Sequence, residues 1–124
     1  MILPLLVAVA GGVGAVARFV LDGLIRSRIA LLVPAGTFVI NVSGSLLLGF
    51  VTGVVMAGAE PTDVRVVLGT GFLGGYTTFS TAMIETVRLL QQRRWGGAAV
   101  NAAGMLLLAL GAAVLGVFLG TLVR

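Results

Sequence analysis

Four hydroxyl residues and one aromatic residue follow one another inside a long apolar segment: Thr77, Thr78, Phe79, Ser80 and Thr81. Hydroxyls in membrane helices commonly bond back to helix carbonyls, but four in five residues exceed that expectation. Hydroxyl donors suit an anion. A Phe ring also favours an anion when it presents its positive edge, although a lone Phe more often packs against lipid or core. The cluster therefore predicts a path for an anion.

Glycines precede this cluster at Gly69, Gly71, Gly74 and Gly75. Each glycine weakens a helix by roughly 1 kcal/mol relative to alanine. Backbone that leaves a helix inside a membrane must be buried in protein or line a wet cavity, because lipid cannot satisfy its N–H and C=O groups. The stretch 69–81 therefore predicts a helix broken at mid-depth, which is a typical place for a transport site.

Arg18 is an ionised residue inside the first apolar segment, roughly 12 Å along a helix from Arg26. Asp22 lies four residues from each arginine, so the three charges can form a ladder on one helix face. Two interpretations stay open for Arg18. It is either a paired, snorkelling arginine at the interface or a cation at the mouth of an anion path.

Asn41 lies near the middle of the second apolar segment, where its amide offers two donors and one acceptor. It either forms a hydrogen bond between helices or faces a pore as a donor, and the sequence leaves both open. Glu85 and Arg88 are three residues apart and can pair on a helix. Asn101 is a lone polar residue for which we expect a packing role.

Several kinds of chemistry are excluded by composition. The 124 residues include no Cys, His or Lys, which removes disulfides, thiolate metal sites and histidine acid–base catalysis. Residues 69–74 match GxGxxG by letter, but that fingerprint requires a strand–turn–helix unit, which an apolar segment cannot provide. The net charge of +4 comes from arginines that flank apolar segments, so we expect membrane topology rather than nucleic acid to explain it. We expect no enzyme activity.

Four apolar segments must position these side chains: 2–24, 31–57, 64–90 and 97–122. Each exceeds the roughly 20 residues that cross a bilayer. The chain is 59% hydrophobic and 10% charged, whereas a soluble domain has about 25% charged residues. The sequence therefore predicts an all-α membrane protein with one domain of four transmembrane helices, multi-pass in the cell membrane, whose third helix is broken at its centre.

Arginines are concentrated in the first and third loops, at Arg26, Arg28, Arg93 and Arg94. The positive-inside rule then places these loops in the cytoplasm and both termini outside. Four short helices leave little room for an internal site, so we expect an oligomer. Glycine pairs at four-residue spacing favour close helix packing, within the chain or between subunits: Gly49 and Gly53, Gly71 and Gly75, Gly116 and Gly120.

Three stretches, 11–19, 36–44 and above all 74–81 (Gly-Gly-Tyr-Thr-Thr-Phe-Ser-Thr), resemble the Fluc/CrcB family of fluoride channels. Their order, their places on the first three helices and the length of the chain agree with that family. The resemblance implies an antiparallel dimer in which one subunit is inverted, with two pores that pass fluoride passively out of the cell. It thereby implies protection against fluoride toxicity.

The resemblance also implies roles for single residues. The backbone carbonyls of Gly74 and Thr77 from both subunits would hold a structural sodium ion at the dimer centre. The pore-lining residues would be Asn41, Phe79, Ser80 and Thr78, and the vestibule residue would be Arg18. A selective path must replace the water that fluoride holds strongly, and donors such as Asn41 and Ser80 would do so.

The chain departs from the family pattern at Ala82, where a second pore Phe is usual, and at Met105 and Ala109, where a hydroxyl track is usual. The chain is therefore either a homodimer that tolerates these changes or a half-channel subunit, whose oppositely oriented homologous partner supplies the missing groups. Two further alternatives are a non-conducting accessory subunit and a small multidrug exporter. The exporter would need a membrane-embedded Glu in the first helix, and the first segment has none.

Overall fold

The computed structural model describes residues 2–29, 35–58 and 61–123, which form helices and turns with no strand among them. We number the helices α1 to α5 along the chain: α1 Ile2–Arg28, α2 Ala35–Met56, α3 62–76, α4 Ser80–Gln91 and α5 Trp95–Thr121. Three of them, α1, α2 and α5, are long and apolar enough to cross a membrane. The third apolar segment is divided into α3 and α4, and neither piece reaches that length.

The helix bounds differ in detail from those expected. The first helix continues to Arg28, so the arginines expected in the first loop lie on its last turn. The predicted start of the second helix, 31–34, lies outside the described residues, and α2 ends at Met56. The third segment begins with Pro61, whose extended backbone precedes the first helical residue Thr62, as suits a residue without an N–H.

The break in the third segment falls at 77–79, after the glycines rather than among them. Residues 66–73 keep a π-helical winding and 74–76 an α-helical one, so the glycine cluster does not interrupt the helix. These glycines instead allow close contact with α1. A Cβ on Gly71 would come within 2.9 Å of the Ala10 side chain, and one on Gly75 would overlap the carbonyl oxygen of Gly11.

Among the described helices, α2 and α5 make the most extensive contact, and the other two glycine pairs lie in it. A Cβ on Gly49 or Gly53 would overlap carbonyl oxygens of α5, and one on Gly116 or Gly120 would overlap carbonyl oxygens of α2. All three glycine pairs therefore pack helices within one chain. Of the two possibilities that the sequence left open, internal packing accounts for them.

A small buried core fixes the end of α3 against its neighbours. Ile40, Leu73 and Tyr76 are buried together, and partly buried apolar side chains of α1 pack against them. The Tyr76 hydroxyl is 3.0 Å from the hydroxyl oxygen of Ser43, which gives the buried phenol a polar partner. The chain therefore reaches the break with its last helical turn already fixed to α2.

Most large apolar side chains on α1 and α5 face outward, for example Phe19 at 82% exposure and Leu106 and Leu107 at 67% each. An apolar surface of this extent suits lipid and not water. Together with the three long apolar helices, it describes a multi-pass membrane protein.

Candidate functional site

The backbone leaves the helix at Thr77, which has an extended conformation with ψ 159°. Its N–H still donates to the Leu73 carbonyl at 2.9 Å, and its hydroxyl donates to the same oxygen at 2.8 Å. The Thr77 side chain therefore completes the helix end. The residues that follow need partners from elsewhere, because their N–H and C=O groups no longer belong to a helix.

Asn41 on α2 supplies those partners to Thr78. The Asn41 amide nitrogen donates to the Thr78 carbonyl at 2.8 Å, and the Thr78 N–H donates to the Asn41 amide oxygen at 2.8 Å. The side chain thus pairs with the break as a neighbouring strand would. The same amide nitrogen lies 3.1 Å from the Met105 sulfur, so both of its protons have partners within the chain. Of the two interpretations left open for Asn41, the described contacts correspond to the hydrogen bond between helices.

Thr78 also begins the next helix. Its hydroxyl oxygen accepts a hydrogen bond from the Thr81 N–H at 3.2 Å and lies 3.0 Å from the Thr81 hydroxyl oxygen. A hydroxyl that accepts from an N–H three residues on acts as a helix cap. Thr77 therefore closes α3 and Thr78 starts α4, and the spacing of the hydroxyls did not predict these separate roles.

Phe79 and Ser80 point away from the interior of the chain. The Phe79 ring is 77% exposed, and Ser80 is also exposed. The hydroxyl cluster therefore divides into an inner part that holds the backbone and an outer part that is free to contact something else. Only the outer part faces the surroundings of the chain.

A cavity of about 330 Å³ lies beside the break. Five residues expected at the site line it: Asn41, Gly74, Thr77, Thr78 and Phe79. Ser80 and Arg18 do not line this cavity. The structure therefore gathers most of the expected site residues around one space, although they come from two different helices and the segment between α3 and α4.

The same cavity is lined by all three positions at which the chain departs from the family pattern, Ala82, Met105 and Ala109. Ala82 is 3% exposed, so its small side chain leaves space next to the break. The cavity wall is therefore apolar at the three positions where α4 and α5 supply these side chains.

A second cavity, of about 190 Å³, lies on the other side of Thr78 and is lined by Arg18, Asp22, Thr37, Thr78 and Thr81 among others. The Arg18 guanidinium donates to the Thr77 carbonyl at 3.4 Å. Because Thr78 lines both cavities, the break forms the partition between them. Arg18 thus contacts the break itself, which neither interpretation from the sequence anticipated.

The expected charge ladder is only partly present. The Arg26 Nε atom donates to an Asp22 carboxylate oxygen at 2.8 Å, and its Nη2 atom donates to a Glu85 carboxylate oxygen on α4 at 2.9 Å. Arg18 forms no ion pair with Asp22. The predicted pair of Glu85 with Arg88 is wrong. One Glu85 oxygen accepts from Arg26, and the other accepts from the Thr37 hydroxyl at 2.6 Å.

Two polar contacts were beyond what sequence spacing predicts. Thr37 is 1% exposed and lies 48 residues before Glu85, so only the fold brings them together. Asn101 is fully buried and donates to the Ala82 carbonyl at 3.2 Å and the Thr86 hydroxyl at 2.7 Å. The packing role expected for Asn101 is confirmed by these bonds.

The backbone at the break offers oxygen ligands for a cation. The Thr78 N–H would close a helical bond to the Gly74 carbonyl, but it donates to Asn41, so Gly74 loses its regular donor. The Thr77 carbonyl is also outside the helix, although it accepts the long bond from Arg18. No three His, Cys, Asp or Glu side chains come together in the described parts of the chain. Neutral backbone oxygens are the donors that this site provides.

Comparison with known proteins matches the chain to one family. The family model described as "CrcB-like protein, Camphor Resistance (CrcB)" matches residues 5–117. A protein of Leifsonia xyli named "Fluoride-specific ion channel FluC 1" is 57% identical over 118 residues, covering 95% of this chain and 86% of the relative.

Two more distant relatives carry similar names. "Fluoride-specific ion channel FluC 2" of Cutibacterium acnes is 49% identical, covering 93% of this chain and 94% of its own. "Fluoride-specific ion channel FluC" of Nitratidesulfovibrio vulgaris is 43% identical, and the match covers 95% of this chain and 96% of the relative. The matches extend along nearly the whole of each chain, so they include the break and both cavities.

Proposed function

The chain belongs to the CrcB family, and from that premise we propose that it is a fluoride-specific ion channel that exports fluoride passively across the cell membrane. The observation that carries this proposal is the Asn41–Thr78 pairing, which holds a helix break open between two cavities. The names of the relatives support fluoride as the ion. Members of this family are ion channels and not enzymes, and nothing in the proposal requires a catalytic residue or a nucleotide.

Fluoride would contact hydrogen-bond donors and the edge of an aromatic ring at the break. Ser80 and Phe79 are exposed beside it, and the hydroxyl of Ser80 can replace part of the water that fluoride must leave. Thr78 lies at the partition between the two cavities. Arg18, in the second cavity, would attract an anion to the vestibule and towards Thr78. Asn41 would act mainly by positioning the Thr78 backbone, because its own donors are already bonded.

The exposed groups at the break support a dimer. Ser80 and the backbone at Gly74 face outward, and lipid cannot satisfy a hydroxyl or a free carbonyl. A second copy in the opposite orientation would cover them and complete a path on each side. We therefore propose an antiparallel dimer within membrane lipid, in which the third segment of each chain also crosses the bilayer.

The proposed sodium ion fits the donors at the break. The carbonyls of Gly74 and Thr77 from two chains would supply four neutral oxygens, a sensible shell for a hard cation. When bound, the ion would supply a fixed positive charge that raises anion occupancy nearby. The Arg18 bond to Thr77 places another positive group at the same oxygen, so Arg18 and the sodium ion would compete electrostatically for it.

A half-channel role in a heterodimer is the second candidate, and the cavity beside the break favours it. Ala82, Met105 and Ala109 provide neither a second aromatic ring nor a hydroxyl track. A homologous chain in the opposite orientation could supply both. The arginines on the last turn of α1 and in the turn after α4 agree with a chain of fixed orientation.

The experiment is fluoride efflux from liposomes that contain the purified chain alone, recorded with a fluoride electrode with and without sodium. A self-sufficient channel gives rapid efflux that collapses without sodium and in Asn41→Asp. No efflux from folded protein alone, but efflux after co-expression with a second family chain, identifies the half-channel. No efflux with any partner contradicts both and leaves an accessory role. Proton-driven export of organic cations would instead indicate the multidrug exporter.

A further inference from the structure

One end of the helix bundle is strongly basic. Five arginines lie where α1 ends and α4 turns into α5: Arg26, Arg28, Arg88, Arg93 and Arg94. The bond between Arg26 and Glu85 brings these two parts of the chain to the same level. Among the described residues, two carboxylates lie at this end, Asp22 and Glu85, and both are bonded to Arg26.

Three of these arginines have no acid to bind. Arg28, Arg88 and Arg93 are exposed, and their guanidinium groups form no ion pair or hydrogen bond within the described parts of the chain. Arg94 differs, because it donates to the Gln92 amide oxygen at 3.2 Å. Arg28, Arg88 and Arg93 therefore present exposed positive charge to the surroundings at this end.

Arg93 occupies a backbone position that normally selects glycine. Its φ is 57°, in the left-handed region. The Arg94 N–H donates to the Leu89 carbonyl at 2.9 Å and the Arg93 N–H to the Leu90 carbonyl at 3.0 Å, which together form a Schellman motif at the end of α4. Glycine is common at this point of the motif because a side chain is unfavourable there. An arginine in its place sacrifices stability and gains a charge, which points to a functional role for that charge.

The surroundings of Arg93 indicate what the charge binds. Trp95 is 65% exposed two residues later, as expected for a side chain at the membrane–water interface. Val87 and Leu90 are 50% and 40% exposed on α4, one and two residues from Arg88 in the sequence. A cationic rim above an apolar helix face suits a molecule with an anionic head and apolar chains. Guanidinium groups bind phosphate with two parallel hydrogen bonds.

We propose that Arg88 and Arg93, assisted by Arg28, bind the phosphate of an anionic phospholipid, whose acyl chains lie along Val87 and Leu90. In a chain oriented by the positive-inside rule, this end lies in the cytoplasmic leaflet, where anionic lipids attract basic segments next to a membrane helix. The inverted copy of an antiparallel homodimer would present the same arginines to the opposite leaflet. This proposal does not depend on fluoride conduction.

The test is the thermal unfolding of the full-length protein in phosphatidylcholine bicelles, with and without phosphatidylglycerol. Phosphatidylglycerol is expected to raise the midpoint of the wild type. Arg93→Gly is expected to raise the folding equilibrium constant roughly five-fold or more in phosphatidylcholine alone, because it relieves the left-handed backbone. The same variant is expected to lose most of the increment from phosphatidylglycerol. A simple loss of folding would not produce these opposite changes.

Arg88→Gln is expected to lose the increment without the gain in stability. Arg93→Lys is expected to retain only part of the increment, because lysine keeps the charge but not the two parallel hydrogen bonds. Arg65→Gln is the matched control, because Arg65 lies at the other end of the bundle and donates to Thr52. The proposal is overturned if phosphatidylglycerol does not stabilise the wild type, or if Arg93→Gly and Arg88→Gln keep the full increment. It is also overturned if inorganic phosphate gives the same increment, since the rim would then bind a free anion.

Discussion

The contact between α2 and α5 and the break between α3 and α4 both bring backbone groups against a neighbouring helix, but in opposite ways. At the α2–α5 contact, Gly49 and Gly116 let two intact helices touch backbone to backbone. At the break, the helix is interrupted, and Asn41 and the Thr78 hydroxyl take over bonds that a continuous helix would make.

The two contacts separate the scaffold of this chain from its site. The glycine contact needs only the absence of side chains, and its backbone hydrogen bonds stay inside each helix. The break needs directed polar partners, because backbone groups outside a helix cannot be left unpaired in a membrane. Substitutions in the two regions should therefore fail for different reasons, by steric overlap in one and by lost hydrogen bonds in the other.

The largest expected effect is at the glycine contact. Gly116→Leu would place a side chain where the carbonyl of Leu46 lies, so the helices must separate and the cost should exceed about 3 kcal/mol. Thermal unfolding and size-exclusion profiles in detergent measure this. Gly111→Leu is the matched control, because a Cβ there meets nothing within 4 Å. Equal stability of the two variants would contradict the packing described here.

Asn41→Leu should have the next largest effect, because both hydrogen bonds to Thr78 disappear and its backbone groups remain buried. We expect a loss of about 3 kcal/mol in the free energy of unfolding and collapse of fluoride efflux. Asn101→Leu provides the comparison. Asn101 donates to the Ala82 carbonyl and the Thr86 hydroxyl, and that hydroxyl itself donates to the same carbonyl at 2.8 Å. Both groups therefore keep a partner in the variant, so the loss of stability should be smaller. A stable, conducting Asn41→Leu protein would show that the break holds itself open.

Thr37→Val tests the loss of a single buried hydrogen bond outside both regions. The variant keeps the shape of the side chain but removes the 2.6 Å bond to the buried Glu85 carboxylate, at a cost of about 2 kcal/mol. Thr37→Ser retains the hydroxyl and should retain most of the stability. Denaturant titration of both variants in the same detergent checks this, and equal losses would assign the effect to packing.

Phe79→Leu should have the smallest effect on stability and a clear one on transport. The ring is 77% exposed, so the change in the free energy of unfolding should stay within about 0.5 kcal/mol, whereas fluoride efflux should fall. Phe118→Leu is the control, since its ring is 60% exposed on α5 and lines neither cavity. Equal efflux from the two variants would remove Phe79 from the path.

Much of the fold followed from apolar length, which predicts helices and membrane spans reliably because lipid demands them. The placement of the break did not follow. Glycine weakens an isolated helix, but here packing against α1 keeps the glycine turns helical, and the helix ends at Tyr76. The Glu85 partner was also missed, since spacing within one helix suggested Arg88 and the bond to Arg26 spans 59 residues.

The order of residues alone was enough to identify a helical membrane protein with a polar cluster inside its third apolar segment. The reason is that composition and segment length fix how each piece meets lipid. Which groups serve the site depends on how the helices pack. This packing assigned Thr77 and Thr78 to the backbone and left Phe79 and Ser80 exposed, and it directed Asn41 to Thr78. A hydrogen bond depends on where helices distant in the sequence come together, and only the packed chain defines that.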